Sequence, residues 1–575
     1  MKRLITIIFM VILTLSGYAQ GETKAWEMKE RLGRGINMGN MFEAPTETEW
    51  GNPWKPEYFR IIAELGFTHV RLPVRWETTA RSSSNPPYTV SATFMNRIKL
   101  VVDSALANNL HIVFNMHHHE ALFTNPAGQK DRFMAQWRQI SEFFKDYPDS
   151  LLFEPLNEPN GNLTPELWNV FFPEVLSVIR ETNPDRTVLI GTPEWGGLGG
   201  LPKLVIPDDD NIILTIHYYN PFNFTHQGAE WSGEQSQAWL GTKWFDTEAD
   251  RAVIHNEFQL AKNISEEHNI PIHVGEFGAY SKADMESRAR WTTYLARWFE
   301  SQGFSWAYWE FSAGFGIYNP STKKLVDPLV NALLYNPIPE PARVVATSVY
   351  SSNFNTNTDG WSLNRSGGAT GSLTRSNGRL NVQVTNGGTE GWHAQLVKTG
   401  IRLEKGKTYR VSFKANAPVA RSMTAYTGKN SDPWNAYSGY NNMYVTTEEG
   451  SFSYQFTMTA DDFAARIVFD LGGVSSGFNI WDIKLESIVI TPTSSDQIRG
   501  SLLKTYPNPF DREIFIDNPG QYRQAALYNA SGSKIKDFDL MQGMNQLQVA
   551  GLQPGLYILN VTGDGPAENI KLMRR

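Results

Sequence analysis

Residues 151–159 read LLFEPLNEP, and the same order recurs at seven other places: apolar residues first, polar or charged residues at the end. The others are GRGINMGN (33–40), FTHVRLPV (67–74), HIVFNMH (111–117), TVLIGT (187–192), IILTIHY (212–218), IHVGEFG (272–278) and SWAYWEF (305–311). Helical periodicity fills the gaps. Ile98, Val101, Val102, Ala105 and Leu106 share one face, as do Tyr58, Ile61, Ile62 and Leu65, with Gly66 as a stop. Apolar strands alternating with helices predict a parallel sheet buried on both faces. Eight such units in about 300 residues predict an α/β fold of the (β/α)8 barrel type. A doubly wound sheet is disfavoured, because no Gly-rich phosphate turn follows the first strand.

The strand ends carry Asn37, Asn40, Arg71, His117, Asn157, Glu158, His217, Tyr219, Glu276, Trp309 and Glu310. In a barrel these ends form the rim where catalytic groups sit. Glu158 and Glu276 stand out, since a Glu directly after buried strand residues is costly unless it is paired or used. Two carboxylates on one rim suit glycoside hydrolysis. One protonates the leaving oxygen while the other attacks the anomeric carbon or activates water. The spacing in sequence leaves retaining and inverting geometries both open. The chemistry needs one carboxyl protonated and one ionised, and Arg71 is the cation at hand. The run His117-His118-His119 is not expected to bind metal, because neighbours on a strand alternate faces. Glu310 is left without a role, its side chain expected to point away from that of Trp309.

Lys plus Arg total 52 against 59 Asp plus Glu, so the chain lacks the basic footprint of a nucleic-acid binder. Cysteine is absent, which excludes disulfides, thiolate metal sites and a cysteine nucleophile. The 18 Trp and 22 Tyr supply residues that stack on sugar rings. Lys2 and Arg3, the apolar run Leu4 to Leu15 and the small residues at Gly17 and Ala19 predict an export signal over 1–19. No second stretch of that apolarity follows, so no integral membrane span is expected. The expected domains are a barrel over 22–338, a β-sandwich over 344–490 and a small all-β unit over 499–575. Proline-rich NPIPEPAR (336–343) and TPTSSDQ (491–497) read as linkers. Alternation in Leu380, Val382 and Val384, in Tyr409, Val411 and Phe413, and in Ile467, Phe469 and Leu471 predicts the sandwich.

GINMGNMFEAP, HVRLPVRW, NMHHH, PLNEP, HYYNPFNFTHQGAEW, VGEFGAY and YWEFSAGFGIY together resemble glycoside hydrolase family 5, and within it the bacterial endo-β-1,4-glucanases. The resemblance spans about residues 26–335. It implies Glu158 as acid/base and Glu276 as nucleophile, with retention of anomeric configuration and no metal or other cofactor. It further implies that Asn157 bonds the substrate 2-hydroxyl and that Arg71 and Tyr219 hold the nucleophile. His117 and His217 would line the cleft and Trp309 would form a sugar platform. Asn40, Glu43, His118 and Trp231 would be outer substrate contacts. Segments NFNTNTDGW, GWHAQL, GKTYRVSFKANA and FNIWDIKLE resemble the family 4/9 carbohydrate-binding modules. Trp392 and Trp434 are the expected stacking platforms there, Tyr437 is a further aromatic candidate, and Trp361 and Trp481 read as core. TYPNPF, GLYILNV and IKLMRR resemble the C-terminal domain read by type IX secretion. The whole implies a secreted, monomeric enzyme whose partners are a β-glucan polysaccharide and the secretion machinery. A mannanase, a glucomannanase or a dual enzyme stays open. A non-catalytic surface glycan binder is disfavoured because both glutamates are present.

Overall fold

The computed structural model describes residues 23–491, 503–506, 509–518, 520–529, 532–563 and 567–574. The expected export signal and nearly all of the linker 491–497 lie outside them. Eight parallel strands close into a barrel: β1 (Arg34–Asn37), β2 (His69–Leu72), β3 (His111–Asn115), β4 (Leu151–Glu154), β5 (Val188–Gly191), β6 (Ile212–His217), β7 (Ile272–Phe277) and β8 (Ser305–Tyr308). Each is shorter than its expected stretch, because the polar ends leave the sheet and become the rim loops. The helices between the strands follow their local signals. Ser91 caps Ala92–Ala107 by accepting the Phe94 N–H, and that helix buries Ile98, Val101, Val102 and Ala105. Glu57–Leu65 ends at Gly66, whose φ of 98° supplies the left-handed stop.

Alternate residues along each strand divide between two environments. Val70, Ile112, Phe153 and Leu214 face outward into the large core with Ile62, Ile98 and Trp137 of the helices. Val113, Leu152, Leu189 and Ile213 face inward and pack with Ala25, Met28 and Leu32 of the helix Lys24–Leu32. That helix, not foreseen in the sequence, covers the N-terminal end of the barrel interior. Two residues further along the same inner faces stand Asn115, Glu154 and Thr215, all buried. The barrel interior therefore turns from apolar to polar toward the C-terminal rim.

The second unit pairs two antiparallel sheets. One contains Arg379–Asn386, Thr408–Asn416 and Gly477–Thr491, and the other contains Ala394–Leu403, Arg421–Gly428 and Asp462–Asp470. Their inner faces meet through Leu380, Val382, Val411, Phe413, Ile467 and Phe469, the residues whose alternation predicted a sandwich. The last segment also forms two small sheets, one of three strands and one of four, around Ile514, Leu527, Leu559 and Leu572.

Candidate active site

Arg71 is the hub of the rim. It is fully buried, and every donor group on it is used. Its Nε and Nη2 fork onto Glu154 at 2.7 Å each. Nη1 donates to Glu276 Oε1 at 2.6 Å and to Asn37 Oδ1 at 2.9 Å, and Nη2 reaches Asn157 Oδ1 at 2.7 Å. A planar five-donor group is the one side chain that can hold this set in fixed directions. Arg71 therefore positions the site and offers no surface to a substrate. Burial works against its charge, but Glu154 and Glu276 outweigh it and push its pKa above the ordinary value.

Glu276 receives a second donor, the Tyr219 hydroxyl, at 2.9 Å from Oε2. Burial first, and then Glu276, hold the Tyr219 phenol well above its usual range, so it remains a donor. A register shift between Ile216 and His217 sets His217 opposite Glu276 in the sheet. His217 Nδ1 lies 2.7 Å from Glu158 Oε1 and 3.6 Å from Glu276 Oε2. Burial alone would depress this imidazole, but the two carboxylates overcome it and raise its pKa. Burial pushes Glu276 up as well, against the pull of His217 and Arg71. Glu158 sits beyond the strand in a loop, with φ 45° and a side chain 24% exposed, against 6% for Glu276. One carboxylate is thus clamped and deep, while the other is partly open to solvent. Single oxygens of Glu158 and Glu276 and a ring nitrogen of His217 all lie within 4.8 Å of one another. Those three atoms could in principle hold a metal ion. However, the Arg71 guanidinium already supplies a fixed cation to Glu276, and His217 is engaged with Glu158, which suits proton sharing better.

The remaining expected residues divide. His117 stacks on Trp309 with ring centroids 5.5 Å apart and planes 9° from parallel. Burial keeps His117 far below its usual pKa, so it is a neutral wall. His118 is half-buried and stands edge-on to His117 and to Trp50. The three histidines lie in the loop after β3, not on the strand, so the face-alternation argument does not apply to them; His119 instead accepts the Leu122 N–H at 3.1 Å. Trp231 is exposed and meets Tyr280 edge-on at 4.9 Å. Asn40 is half-buried with φ 63°. Glu43, expected as an outer contact, turns inward. It is 1% exposed, accepts the Asn40 and Met41 N–H groups, and is pushed by burial to about 8. It anchors the loop that presents Asn40. Glu310 does the same for the loop after β8, accepting N–H groups of Ser312, Ala313 and Phe315. Gly39 lies between these loops, where an added Cβ would sit 3.0 Å from both Trp309 and Glu310.

Sequence reasoning missed Glu154, Trp50 and Trp195. Glu154 was findable, since the rule that flags a Glu beside buried strand residues applies to it equally. Two exposed tryptophans carry no such signal.

A family model described as Cellulase (glycosyl hydrolase family 5) matches residues 33–314. The endoglucanase Cel5A of the hyperthermophile Thermotoga maritima is 49% identical, with a TM-score of 0.52, over 53% of this chain and 98% of that one. The chain belongs to glycosyl hydrolase family 5. The same Thermotoga enzyme, solved in complex with mannotriose, is 48% identical with a TM-score of 0.53, over 54% of this chain and 99% of that one. Endoglucanase H of Acetivibrio thermocellus is 35% identical over 319 residues, which is 54% of this chain and 34% of that protein. This family 5 chain thus spans about a third of the length of that curated relative. Residues 346–477 match a carbohydrate binding domain, and 504–573 match a secretion system C-terminal sorting domain. The family 5 enzyme is therefore a secreted or cell-surface protein. No helix among its described residues is long and apolar enough to cross a membrane.

In the binding module, Trp392 and Trp434 are both about half exposed. Arg466 lies 4.5 Å from the Trp434 ring centre, and beside it Gln395 donates to Tyr426 and Asp470. Trp361 is core, stacked on Phe469. Trp481, expected as core, lies half-buried at its edge under the Arg379 guanidinium. Tyr437 is also half-buried, its hydroxyl given to Asp462.

Proposed function

We propose that the chain is a retaining endo-β-1,4-glucanase that cleaves internal bonds of cellulose and related β-glucans. The carboxylate separation carries the reading. Retaining enzymes hold their two carboxyl groups about 5–5.5 Å apart, while inverting enzymes need about 6.5–9.5 Å to admit a water. Oxygens within 4.8 Å fit the first class. Glu276 attacks the anomeric carbon while Glu158 gives its proton to the leaving oxygen. Glu158 then takes a proton from water, whose oxygen displaces Glu276 from the sugar. Because Asn157 Oδ1 accepts from Arg71, its amide N–H groups are left to meet the substrate 2-hydroxyl.

A dual glucanase and mannanase is the second reading, favoured by the Thermotoga relative solved with mannotriose. Mannose differs from glucose at the hydroxyl that Asn157 would meet. A reducing-end assay of the full chain on carboxymethyl-cellulose and on pure mannan, with Glu276→Ala as control, separates the two. Release from the glucan alone supports the first reading, and comparable release from both supports the second. Activity on neither would sink both. Trp392 and Trp434 would hold insoluble polysaccharide, so Trp434→Ala is expected to weaken action on it while sparing soluble substrate. Equal loss on both substrates would argue against a binding role for Trp434.

The charge network sets the pH dependence. Glu276 must be ionised to attack, and burial raises its pKa, so turnover is expected to fall with acidity above the ordinary carboxylate range. His217→Asn removes a positive charge that lowers Glu276. The acid limb of kcat/KM should therefore move to higher pH in that variant. A limb that stayed put or moved down would show that His217 is not cationic beside Glu276.

A further inference from the structure

The segment that follows β6 reaches the nucleophile twice. The Tyr218 N–H donates to the Glu276 carbonyl at 2.8 Å, and the Tyr219 hydroxyl donates to the Glu276 carboxylate. The two tyrosines point to opposite sides, as neighbours in an extended segment do. Tyr219 turns to the site, while Tyr218 is buried against Phe258 of the helix Glu248–His268, with ring centroids 5.0 Å apart. The same helix supplies Glu257. Its Oε2 accepts the Tyr218 hydroxyl at 2.6 Å, and its Oε1 accepts the Asn220 amide at 2.9 Å. One carboxylate thus takes a donor from the residue on either side of Tyr219.

Both donors are neutral, and burial pushes the Glu257 carboxyl above its ordinary pKa. A partly dry carboxylate with neutral partners is costly unless its hydrogen bonds are needed. Those bonds are charge-assisted, and so stronger than a neutral acceptor would make. Burial and Glu257 hold the Tyr218 phenol well above its usual range, so it stays a donor. Backbone contacts support the same segment: Thr225 Oγ1 donates to the Tyr219 carbonyl at 2.6 Å, and Trp291 Nε1 to the Asn220 carbonyl at 3.1 Å. Glu257 is what ties the side chains on both flanks. Glu276 faces Arg71, Glu158, His217 and Tyr219. Of these, Tyr219 is the one flanked on both sides by donors to Glu257. We infer that Glu257 is a positioning residue for the reaction, acting through Tyr218 and Asn220 to keep the Tyr219 hydroxyl on the nucleophile. The inference rests on the reading of Glu276 as that nucleophile.

The test is a double-mutant cycle on the full chain, with 2,4-dinitrophenyl β-cellobioside as substrate. Glu257→Ala should lower kcat/KM about 10-fold and move its acid limb up by about half to one pH unit. The direction follows from the lost donor, because a hydrogen bond to the ionised form of Glu276 lowers its pKa. Tyr219→Phe should move the limb the same way, and adding Glu257→Ala to it should move the limb no further. Glu257→Gln should recover most of the loss. Its amide oxygen still accepts the Tyr218 hydroxyl, and Asn220 can turn its own amide to accept from the new N–H. An acid limb that stays put in Glu257→Ala would mean that Glu257 merely supports the fold, and would overturn the proposal. A limb that moves again in the double variant would also overturn it, since Glu257 would then act by another route. If Glu276→Gln stayed active, the nucleophile reading would fail and the proposal with it. An inactive Glu276→Gln beside an unmoved limb sinks the proposal alone.

Discussion

Glu276→Gln should lower turnover by at least about 10⁴-fold while oligosaccharide binding persists. The substitution keeps the shape that Arg71 and Tyr219 grip, but it removes the charge that attacks carbon. Stereochemistry makes the test sharper than a rate. In Glu276→Ala, azide would occupy the vacated space and displace an activated leaving group directly. One inversion gives the α-glycosyl azide. In Glu158→Ala the nucleophile is intact, so Glu276 first forms the glycosyl-enzyme and azide then replaces it. Two inversions give the β-glycosyl azide. Proton NMR of the product from 2,4-dinitrophenyl β-cellobioside reads the difference from one coupling constant. The same anomer from both variants would refute the assignment of roles. An unchanged rate in Glu276→Gln would refute the nucleophile outright.

The parts legible in the sequence were those with a period or an energetic anomaly. Alternation exposed Leu380, Val382 and Val384 as a sandwich face, and helical spacing exposed Ile98 to Ala105 as a barrel helix. The anomaly of charged residues after apolar strands exposed Glu158, Glu276 and Arg71. The other features depend on direction, which composition and spacing do not encode. Glu43 lies in a loop, and only the fold decides whether its carboxylate meets sugar or the Asn40 N–H. His117 to His119 read as strand, but β3 ends at Asn115, so each ring takes its own course. Helix Lys24–Leu32 precedes the first strand, and its meaning appears only once Val113, Leu152 and Ile213 converge inside a closed barrel. Trp195 owes its place to Gly196 and Pro159, neighbours whose importance is a matter of contact.

Arg71→Met is the substitution expected to damage both folding and catalysis. It strands Glu154 and Glu276 in a site where each is nearly inaccessible to water. Removing one partner of a buried ion pair typically costs about 3–5 kcal/mol, because the other charge is left unpaired. Turnover should fall at least about 100-fold as well, since a nucleophile displaced by about 1 Å loses that much. The stability deficit should depend on pH in a definite direction. Glu276 is already raised by burial, and it loses the guanidinium that held it down, so its folded pKa rises further above the unfolded value. Folding then takes up a proton as pH falls, and the deficit should be largest near neutrality and shrink toward the ordinary carboxylate pKa. Thermal melts at pH 5 and pH 7.5 measure this. Glu154→Gln added to Arg71→Met removes one stranded charge and should return part of the stability, but none of the turnover, because Glu276 still lacks its clamp. Arg71→Lys should fold better than Met and remain impaired, since an ammonium cannot fork onto Glu154 while reaching Glu276 and Asn157. If Arg71→Lys were fully active, a point charge would suffice at this position. The four-way hydrogen-bond geometry around Arg71 would then be incidental to catalysis.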